Sequence, residues 1–344
     1  MLTAPLVGRD YPGTLGEFAA WFRTDADCLD YLRWLRWPQG FRCPACGAEG
    51  WLASDGRYEC SERDCRCRTS VTAGTIFERT RTPLTVWFQA AWLFATSKDG
   101  VSAMALQRQL AIGSYQTAWT MLTKLRVAAG GHDLDRLSGE VEVDETLYGG
   151  FTPGQRGRTP GAKLLVAIAV ERLPGGGFGR CRMATLKNAR HPELRRFLLS
   201  CVEPGSTVIT DGWDPYVKAC QGLYTHQPQV APGSLAAVHL PGVHRIASLF
   251  KRWMLGTHQG SAGWDHVALY LDEFVFRFNR RRSRHRGLVF LRLLERCVDV
   301  GPAPYHELIV YRRPKLIPPT PPPPGARSRT PTLERPREQR PWRG

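Results

Sequence analysis

The 344-residue sequence lacks several features that would place it in a common class of protein. No apolar run approaches the roughly 20 residues needed to span a bilayer, and the first residues lack the apolar core of a secretory signal. No internal repeat is evident. We therefore expect a soluble, cytoplasmic protein with no membrane partner, long enough for two or three folded units.

Acidic residues are scarce relative to basic ones. The chain has 31 Asp and Glu against 47 Lys and Arg, which gives a net charge of +16. Such an excess usually indicates a polyanionic partner, although ribosomal and membrane-surface proteins share it. The Pro-rich, basic residues 314–344 can form no core, and we expect this tail to be disordered.

Cysteine, in contrast, is plentiful, with ten residues. In a reducing compartment these thiols are better interpreted as metal ligands and core residues than as a disulfide framework. A knuckle turn, Cys-Pro-Ala-Cys-Gly, is followed by a second cysteine pair, and two such pairs can surround one tetrahedral Zn²⁺. We predict a structural zinc ribbon over residues 41–80, with Cys67 as the alternative fourth ligand. The predicted ligands are Cys43, Cys46, Cys60 and Cys65.

Two helical regions flank the ribbon. Residues 1–40 carry aromatic side chains at helical spacing, which predicts one or two packed helices. Residues 81–136 contain a helical pattern that begins at Pro83 and, after Gly100, two further patterns broken at Gly113-Ser114. The last two fit a helix-turn-helix unit, although a plain helical hairpin has the same pattern. We expect Lys124 and Arg126 on its second helix to contact DNA.

From residue 137 to about residue 300 the pattern becomes α/β. Four apolar segments predict strands, and a helix is predicted before the last of them. Asp144 follows one strand pattern (Glu-Val-Glu-Val) and Asp211 another (Thr-Val-Ile-Thr). Two such aspartates can project into a shared cleft and hold a pair of Mg²⁺ ions, although each alone also fits a strand-end turn or cap. Glu145 faces the other side of its strand, and Glu142 lies too far along it.

Several long motifs then resemble a known family. CPACG and SVTAGTIFERTRTPLTVWFQA resemble the N-terminus of bacterial insertion-sequence transposases that carry a zinc ribbon. GEVEVDETLYGG, VITDGWDPY, HRIASLFKRWMLGTHQG and YLDEFVFRFNRR resemble their catalytic domain, in the same order, so that the likeness covers roughly residues 15–298.

This resemblance implies a multidomain protein with an RNase H-like catalytic domain and a mixed sheet over residues 137–300. It implies a DDE-type enzyme that uses Mg²⁺ to hydrolyse one strand at the element's end and then joins the 3′-OH to target DNA. Asp144 and Asp211 match the first two metal-binding aspartates.

The third ligand is where the sequence departs from the family. Relatives have Glu or Asn a few residues before a helical lysine that matches Lys251, but this chain has His244 and Leu249 at those positions. Our leading hypothesis is that His244 is the third ligand, which would weaken the preference for Mg²⁺ over Mn²⁺. His244 also fits a residue that contacts DNA phosphate. Glu273 is the rival carboxylate, although a surface ion pair with Arg277 explains it adequately.

Further basic residues are predicted to bind DNA. Lys251 matches the family's basic residue at the terminal DNA, and Arg252 lies beside it. The predicted DNA path also includes Arg277, Arg280, Arg281 and Arg282. Neutralisation of phosphates by these residues should make binding steeply dependent on salt.

The leading functional hypothesis is a nucleoid-associated bacterial transposase that binds inverted repeats and target DNA. It is expected to act as a homo-oligomer, because two DNA ends must be brought together. The alternative is a catalytically inactive or domesticated zinc-ribbon DNA-binding protein, which the missing third carboxylate favours. A plain zinc-ribbon transcription factor would leave the α/β half unexplained.

Overall fold

The structure is a computed structural model, and its described residues form two compact units. The described residues are 4–130, 135–149, 163–229, 240–259 and 264–310. The first unit joins the chain up to residue 130 to residues 283–309, and the second spans 135–282. The predicted tail lies outside the described residues. Within them, no helix is both long and apolar enough to cross a membrane.

The first unit begins with two helices, as predicted: α1 (Leu15–Trp21) and α2 (Asp25–Arg36). Each starts at a threonine, and Thr24 and Asp27 form a reciprocal capping box at the start of α2. The ribbon follows as a small antiparallel sheet in the order β1-β2-β3. Its strands are β1 (Gly50–Leu52), β2 (Tyr58–Cys60) and β3 (Arg68–Thr69).

Three helices complete this part of the first unit, and they confirm the predicted helical region. They are α3 (Leu84–Thr96), α4 (Ala103–Gln109) and α5 (Tyr115–Ala129). The chain breaks between α4 and α5 where Gly113 was predicted to interrupt it. Ser114 caps α5 by accepting a hydrogen bond from the backbone N–H of Thr117.

The second unit is built on a mixed five-stranded sheet. Its strands are β4 (Glu140–Tyr148), β5 (Leu164–Arg172), β6 (Phe178–Leu186), β7 (Thr207–Thr210) and β8 (Thr225–Pro228). The order is β6-β5-β4-β7-β8, with β4, β5 and β6 antiparallel and with β7 and β8 parallel to β4. This is the RNase H-like arrangement that the resemblance implies. The polar edge strand β8, which ends in proline, was not predicted.

Helices cover both faces of this sheet. On one face, α6 (His191–Cys201) and α7 (Asp214–Cys220) pack through residues such as Phe197 and Tyr216. On the other face, α8 (Pro241–His258) and α9 (Val267–Asn279) pack through residues such as Phe250 and Leu271. Alternate residues of β4 therefore point towards different pairs of helices.

The last described helices are α10 (Arg286–Asp299) and α11 (Tyr305–Ile309). We expected the catalytic domain to extend to residue 300, but α10 belongs to the first unit. The ring of Phe290 lies 5.5 Å from that of Phe18 and 5.9 Å from that of Phe88. The second unit therefore ends near Arg282. Helical periodicity shows that α10 is amphipathic but cannot show which core its apolar face joins.

Candidate functional site

The four predicted zinc ligands come together in the ribbon. The sulfur atoms of Cys43, Cys46, Cys60 and Cys65 all lie within 4.8 Å of one another. The Cys43 and Cys65 sulfurs are 3.7 Å apart, and those of Cys46 and Cys60 are 3.4 Å apart. Four thiolates about 2.3 Å from a tetrahedral Zn²⁺ would be about 3.8 Å apart. The geometry therefore fits zinc, and Cys67, the alternative ligand, is outside this set.

The backbone of the knuckle turn also favours the deprotonated form of the Cys43 thiol. Burial alone would raise the pKa of the Cys43 thiol, but backbone N–H groups of Cys46 and Ala45 and the neighbouring thiols lower that pKa to about 6. The backbone N–H of Glu62 donates to the Cys60 sulfur at 3.4 Å and lowers the pKa of that thiol, but burial and the neighbouring thiols raise this pKa overall, to about 12. Thiols packed this closely do not all ionise without a cation among them, and a bound metal ion supplies that charge.

Sheet register places the two predicted catalytic aspartates side by side. Strands β4 and β7 are parallel, and their last backbone pair joins Glu142 to Ile209. Continued for two more residues, the same register would bring Asp144 level with Asp211, and both carboxylates lie close enough to the Tyr216 hydroxyl to raise its pKa. Strand β7 ends directly before Asp211, as expected, whereas Asp144 lies in the middle of β4 because that strand continues to pair with β5.

Each aspartate accepts a local backbone hydrogen bond. The N–H of Glu145 donates to Asp144 Oδ1 at 2.7 Å, and the N–H of Trp213 donates to Asp211 Oδ1 at 3.1 Å. The turn between Asp211 and Trp213 needs Gly212, whose φ of +84° lies in the left-handed region. These contacts orient the two carboxylates.

The hydroxyl of Tyr216 is affected by the charge of both aspartates. Its fully buried hydroxyl donates to Glu145 Oε2 at 2.6 Å. Burial first, and then the nearby carboxylates of Glu145, Asp144 and Asp211, raise the pKa of Tyr216 well above 10. Tyr216 is therefore a protonated donor at neutral pH, buried beneath the two aspartates.

His244 lies in the first turns of α8, on the helix that covers the Asp144 face of the sheet. Its Nε2 atom is buried and has no hydrogen-bond partner within the described part of the chain. A buried imidazole nitrogen without a hydrogen-bond partner fits a metal ligand. Within that part, however, the cysteines are the only set of three or more ligand residues whose atoms lie within 4.8 Å of one another. Asp144, Asp211 and His244 form no such compact set.

Contacts at two levels show how α8 runs beside β4. Near the start of α8, the N–H groups of Gly242 and Val243 donate to Glu142 Oε2 at 2.7 Å and 3.1 Å. Further along, Lys251 Nζ donates to Thr146 Oγ1 at 2.8 Å. Because Asp144 lies between Glu142 and Thr146 on the same face, the helix between these contacts passes alongside it.

The prediction of a surface ion pair for Glu273 was wrong in one respect. Arg277 does lie 3.8 Å from Glu273, but the side chains are only 10% and 0% exposed. The pair is therefore buried in α9, since the apolar residues around it cover both side chains. With so little of its side chain exposed, Arg277 has little surface to offer to a DNA phosphate.

Other predicted DNA contacts also differ in exposure. Arg126 is 2% exposed and so is not available to phosphate, which corrects its predicted role. Lys124 is half-buried, and its Nζ donates to the Ile76 carbonyl at 2.8 Å. The guanidinium groups of Arg280 and Arg281 lie over Phe276 and Phe278. The predicted basic residues with exposed side chains are Lys251, Arg252, Arg281 and Arg282.

Sequence reasoning missed three residues of this site. Glu142 and Glu145 were set aside as unsuitable metal ligands, and Tyr216 was not singled out. Their signal was present in the motifs, because EVEVDE places acids on both faces of β4 and VITDGWDPY ends in the tyrosine. What no pattern revealed was which distant groups they contact.

The ribbon and the RNase H-like unit with paired aspartates define the class that the motifs indicated. Residues 136–279 match a family model described as an ISXO2-like transposase domain, and residues 23–70 match a transposase zinc-ribbon domain. A protein described as "Uncharacterized protein in transposable element ISH50", from Halobacterium salinarum, is 26% identical over 279 residues. The match covers 74% of this chain and 91% of that protein. This chain thus carries the zinc ribbon and the DDE domain of an insertion-sequence transposase, which confirms the resemblance.

Proposed function

We propose that the chain binds the ends of an insertion sequence and catalyses DNA strand cleavage and strand transfer. The observation that supports this proposal is the parallel pairing of β4 with β7, which brings Asp144 and Asp211 towards each other near Tyr216. Two carboxylates at adjacent strand positions offer the hard oxygen ligands that Mg²⁺ prefers.

Asp144 and Asp211 would hold the catalytic Mg²⁺ or Mn²⁺, with His244 as the third ligand. When bound, a pair of such ions would activate the attacking oxygen and neutralise charge on the leaving oxygen. The backbone N–H groups of Glu145 and Trp213 orient the aspartates before any ion arrives. Lys251, held by Thr146, stands on the same face as a cation for the DNA backbone.

A two-ion site would accommodate ligands that are further apart than the four cysteine sulfurs. Ions in such sites lie about 3.5–4 Å apart, and each ligand atom lies about 2.1 Å from its ion. Ligands on opposite sides can then be about 8 Å apart. The compact cysteine set suits one structural ion, and the more open set of Asp144, Asp211 and His244 suits a two-ion site.

We assign the ribbon a structural Zn²⁺ and give it no part in the chemistry. A site with four thiolate ligands leaves no open coordination position for substrate. Between residues 41 and 70 there are five arginines and five acids, so that the ribbon contributes nothing to the net charge of +16. Three of these arginines are already paired, Arg42 with Glu49 and both Arg57 and Arg68 with Asp55.

We place the helical DNA contact at the start of α5 instead of at Lys124 and Arg126. In a helix-turn-helix the first residues of the second helix contact base edges. Here those residues are Tyr115, Gln116, Thr117 and Thr120, whose hydroxyl and amide groups can pair with bases. Phosphate contacts are assigned to exposed Arg252 and Arg282, and a homo-oligomer would bring two ends together.

A cleavage assay with the element's own ends tests this proposal. Asp144→Ala and Asp211→Ala should each lower nicking and strand transfer by about a thousandfold or more, since metal ligation supplies several kcal/mol to the transition state. Glu203→Ala is the control, because this exposed carboxylate lies at the opposite end of β7. If the wild type binds the ends but never nicks them with Mg²⁺ or Mn²⁺, the alternative of an inactive DNA-binding protein replaces the enzyme.

A further inference from the structure

The backbone hydrogen bonds between β4 and β7 stop before the two aspartates. Their last pair is Glu142 with Ile209, whereas Asp144 and Asp211 lie two residues beyond it. Beyond the paired residues, side-chain contacts can therefore help to set where the predicted ligands lie. Glu145 and Glu142, which flank Asp144, make two such contacts, one to α7 and one to α8.

Glu145 links the Asp144 strand to the segment that follows Asp211. Its side chain points to the face of β4 opposite that of Asp144, where the Tyr216 hydroxyl donates to it at 2.6 Å. Tyr216 lies in α7, five residues after Asp211, and is fully buried in the core of that face. The hydrogen bond thus joins Glu145, which is next to Asp144, to α7, which begins three residues after Asp211.

Glu142 links the same strand to the helix that carries His244. It is fully buried on the Asp144 face, and it accepts from two N–H groups of the first turn of α8 and from Arg172 Nε at 2.5 Å. The approach is close: a Cβ at Gly242 would lie 2.8 Å from Glu142 Oε2. Negative charge at a helix N-terminus is favourable, and a buried carboxylate with three donors is fully partnered.

We infer that Glu142 and Glu145 are positioning residues that set the places of the other two predicted metal ligands relative to Asp144. Glu145, through Tyr216, positions Asp211, and Glu142, through the first turn of α8, positions His244. The inference rests on the proposed function, because it assigns these roles around the same metal site. It extends that proposal to residues that contact neither metal nor DNA.

The Tyr216 contact is tested by removing a single hydroxyl. Tyr216→Phe removes the donor and Glu145→Ala the acceptor. Each should weaken Mn²⁺ binding, measured by calorimetry and by Mn²⁺ electron paramagnetic resonance, by about 10-fold, as loss of partners behind metal ligands typically does. Nicking should then require correspondingly more Mn²⁺. Tyr224→Phe is the matched control, because it removes a hydroxyl that donates to the Val202 carbonyl in the same core. It should leave Mn²⁺ binding unchanged.

The Glu142 contact has its own matched pair. Glu142→Gln should weaken Mn²⁺ binding by about 10-fold, because α8 loses its anchor beside Asp144. Glu171→Gln is the control, since Glu171 also lies on a strand of this sheet and also accepts from an arginine and two backbone N–H groups. If Glu142→Gln fails to fold, Gly242→Ala displaces the same turn of α8 and should produce the same loss.

Two failures are distinguishable. If wild-type protein has no Mn²⁺ site that depends on Asp144 and Asp211, the proposed function fails. If that site exists and folded Tyr216→Phe, Glu145→Ala and Glu142→Gln proteins bind Mn²⁺ like the wild type, the positioning roles are overturned. Equal losses in the test variants and their controls would also overturn them, because the effect would then be one of general stability.

Discussion

The ribbon and the catalytic sheet reach their metal sites by different routes. The ribbon ligands lie within 23 residues of sequence, from Cys43 to Cys65, and their sulfur atoms are within 4.8 Å of one another. Asp144 and Asp211 are 67 residues apart in the sequence, and the pairing of β4 with β7 brings them near each other. We therefore expect the ribbon to depend on its ion for its shape, and the sheet to keep its shape before any ion binds.

This difference follows from core size. The ribbon strands are two or three residues long and bury little apolar surface, so that metal binding must supply much of their folding free energy. The catalytic sheet has an apolar core on each face, which holds the strands in register without metal. Loss of the ribbon site should therefore unfold the ribbon. Loss of the site at Asp144 and Asp211 should abolish catalysis and leave the fold intact.

The largest expected effect is on the ribbon. Cys60→Ser should abolish zinc retention and leave residues 41–70 open to proteases, because three thiolates bind zinc far more weakly than four. Metal content by mass spectrometry and limited proteolysis measure both effects. Cys67→Ser is the control and should keep its zinc. If Cys67→Ser loses zinc and Cys65→Ser does not, the ligand assignment is wrong.

A smaller effect, confined to chemistry, is expected at His244. His244→Ala should lower strand transfer by about 100-fold without lowering the melting temperature, since it removes one metal ligand and little packing. His244→Glu should restore activity and shift the preference from Mn²⁺ towards Mg²⁺, because carboxylate is the harder ligand. Undiminished strand transfer by His244→Ala would remove His244 from the site.

The smallest effect concerns DNA affinity. Arg252→Ala and Arg282→Ala should each reduce the slope of log affinity against log salt by about 0.9, the value for one phosphate contact. Arg126→Ala should instead lower stability and leave the slope unchanged, because its side chain is buried. Fluorescence anisotropy over a salt series measures these slopes. An unchanged slope for Arg252→Ala would exclude that contact.

Local pattern predicted much of the second unit. Strands β4, β5 and β6 were found as predicted because their apolar runs end at polar turns, and α6 because its leucines recur at helical spacing. Strand β8 was missed because an exposed edge strand carries little apolar signal. The cysteine set was predictable from spacing, since its ligands are close in the sequence.

Contacts between distant residues were not predictable from pattern. A pattern predicts that a basic residue on a helix is exposed. Arg126 and Arg277 are nevertheless buried, and Arg277 lies beside Glu273. Glu142 and Glu145 were set aside as ligands because of the strand face and the position inferred for each. The pattern could not show which residues they contact. Those partners, α8 and Tyr216, lie 71 or more residues away along the chain.

A metal inventory of one protein sample tests the distinction between the two sites most directly. We expect one Zn²⁺ per chain to survive dialysis against a mild chelator, and added Mn²⁺ to bind exchangeably. Cys60→Ser should lose Zn²⁺ but still bind Mn²⁺. The Asp144→Ala, Asp211→Ala double variant should keep Zn²⁺ but lose Mn²⁺ binding. Undiminished Mn²⁺ binding in that double variant would contradict the account.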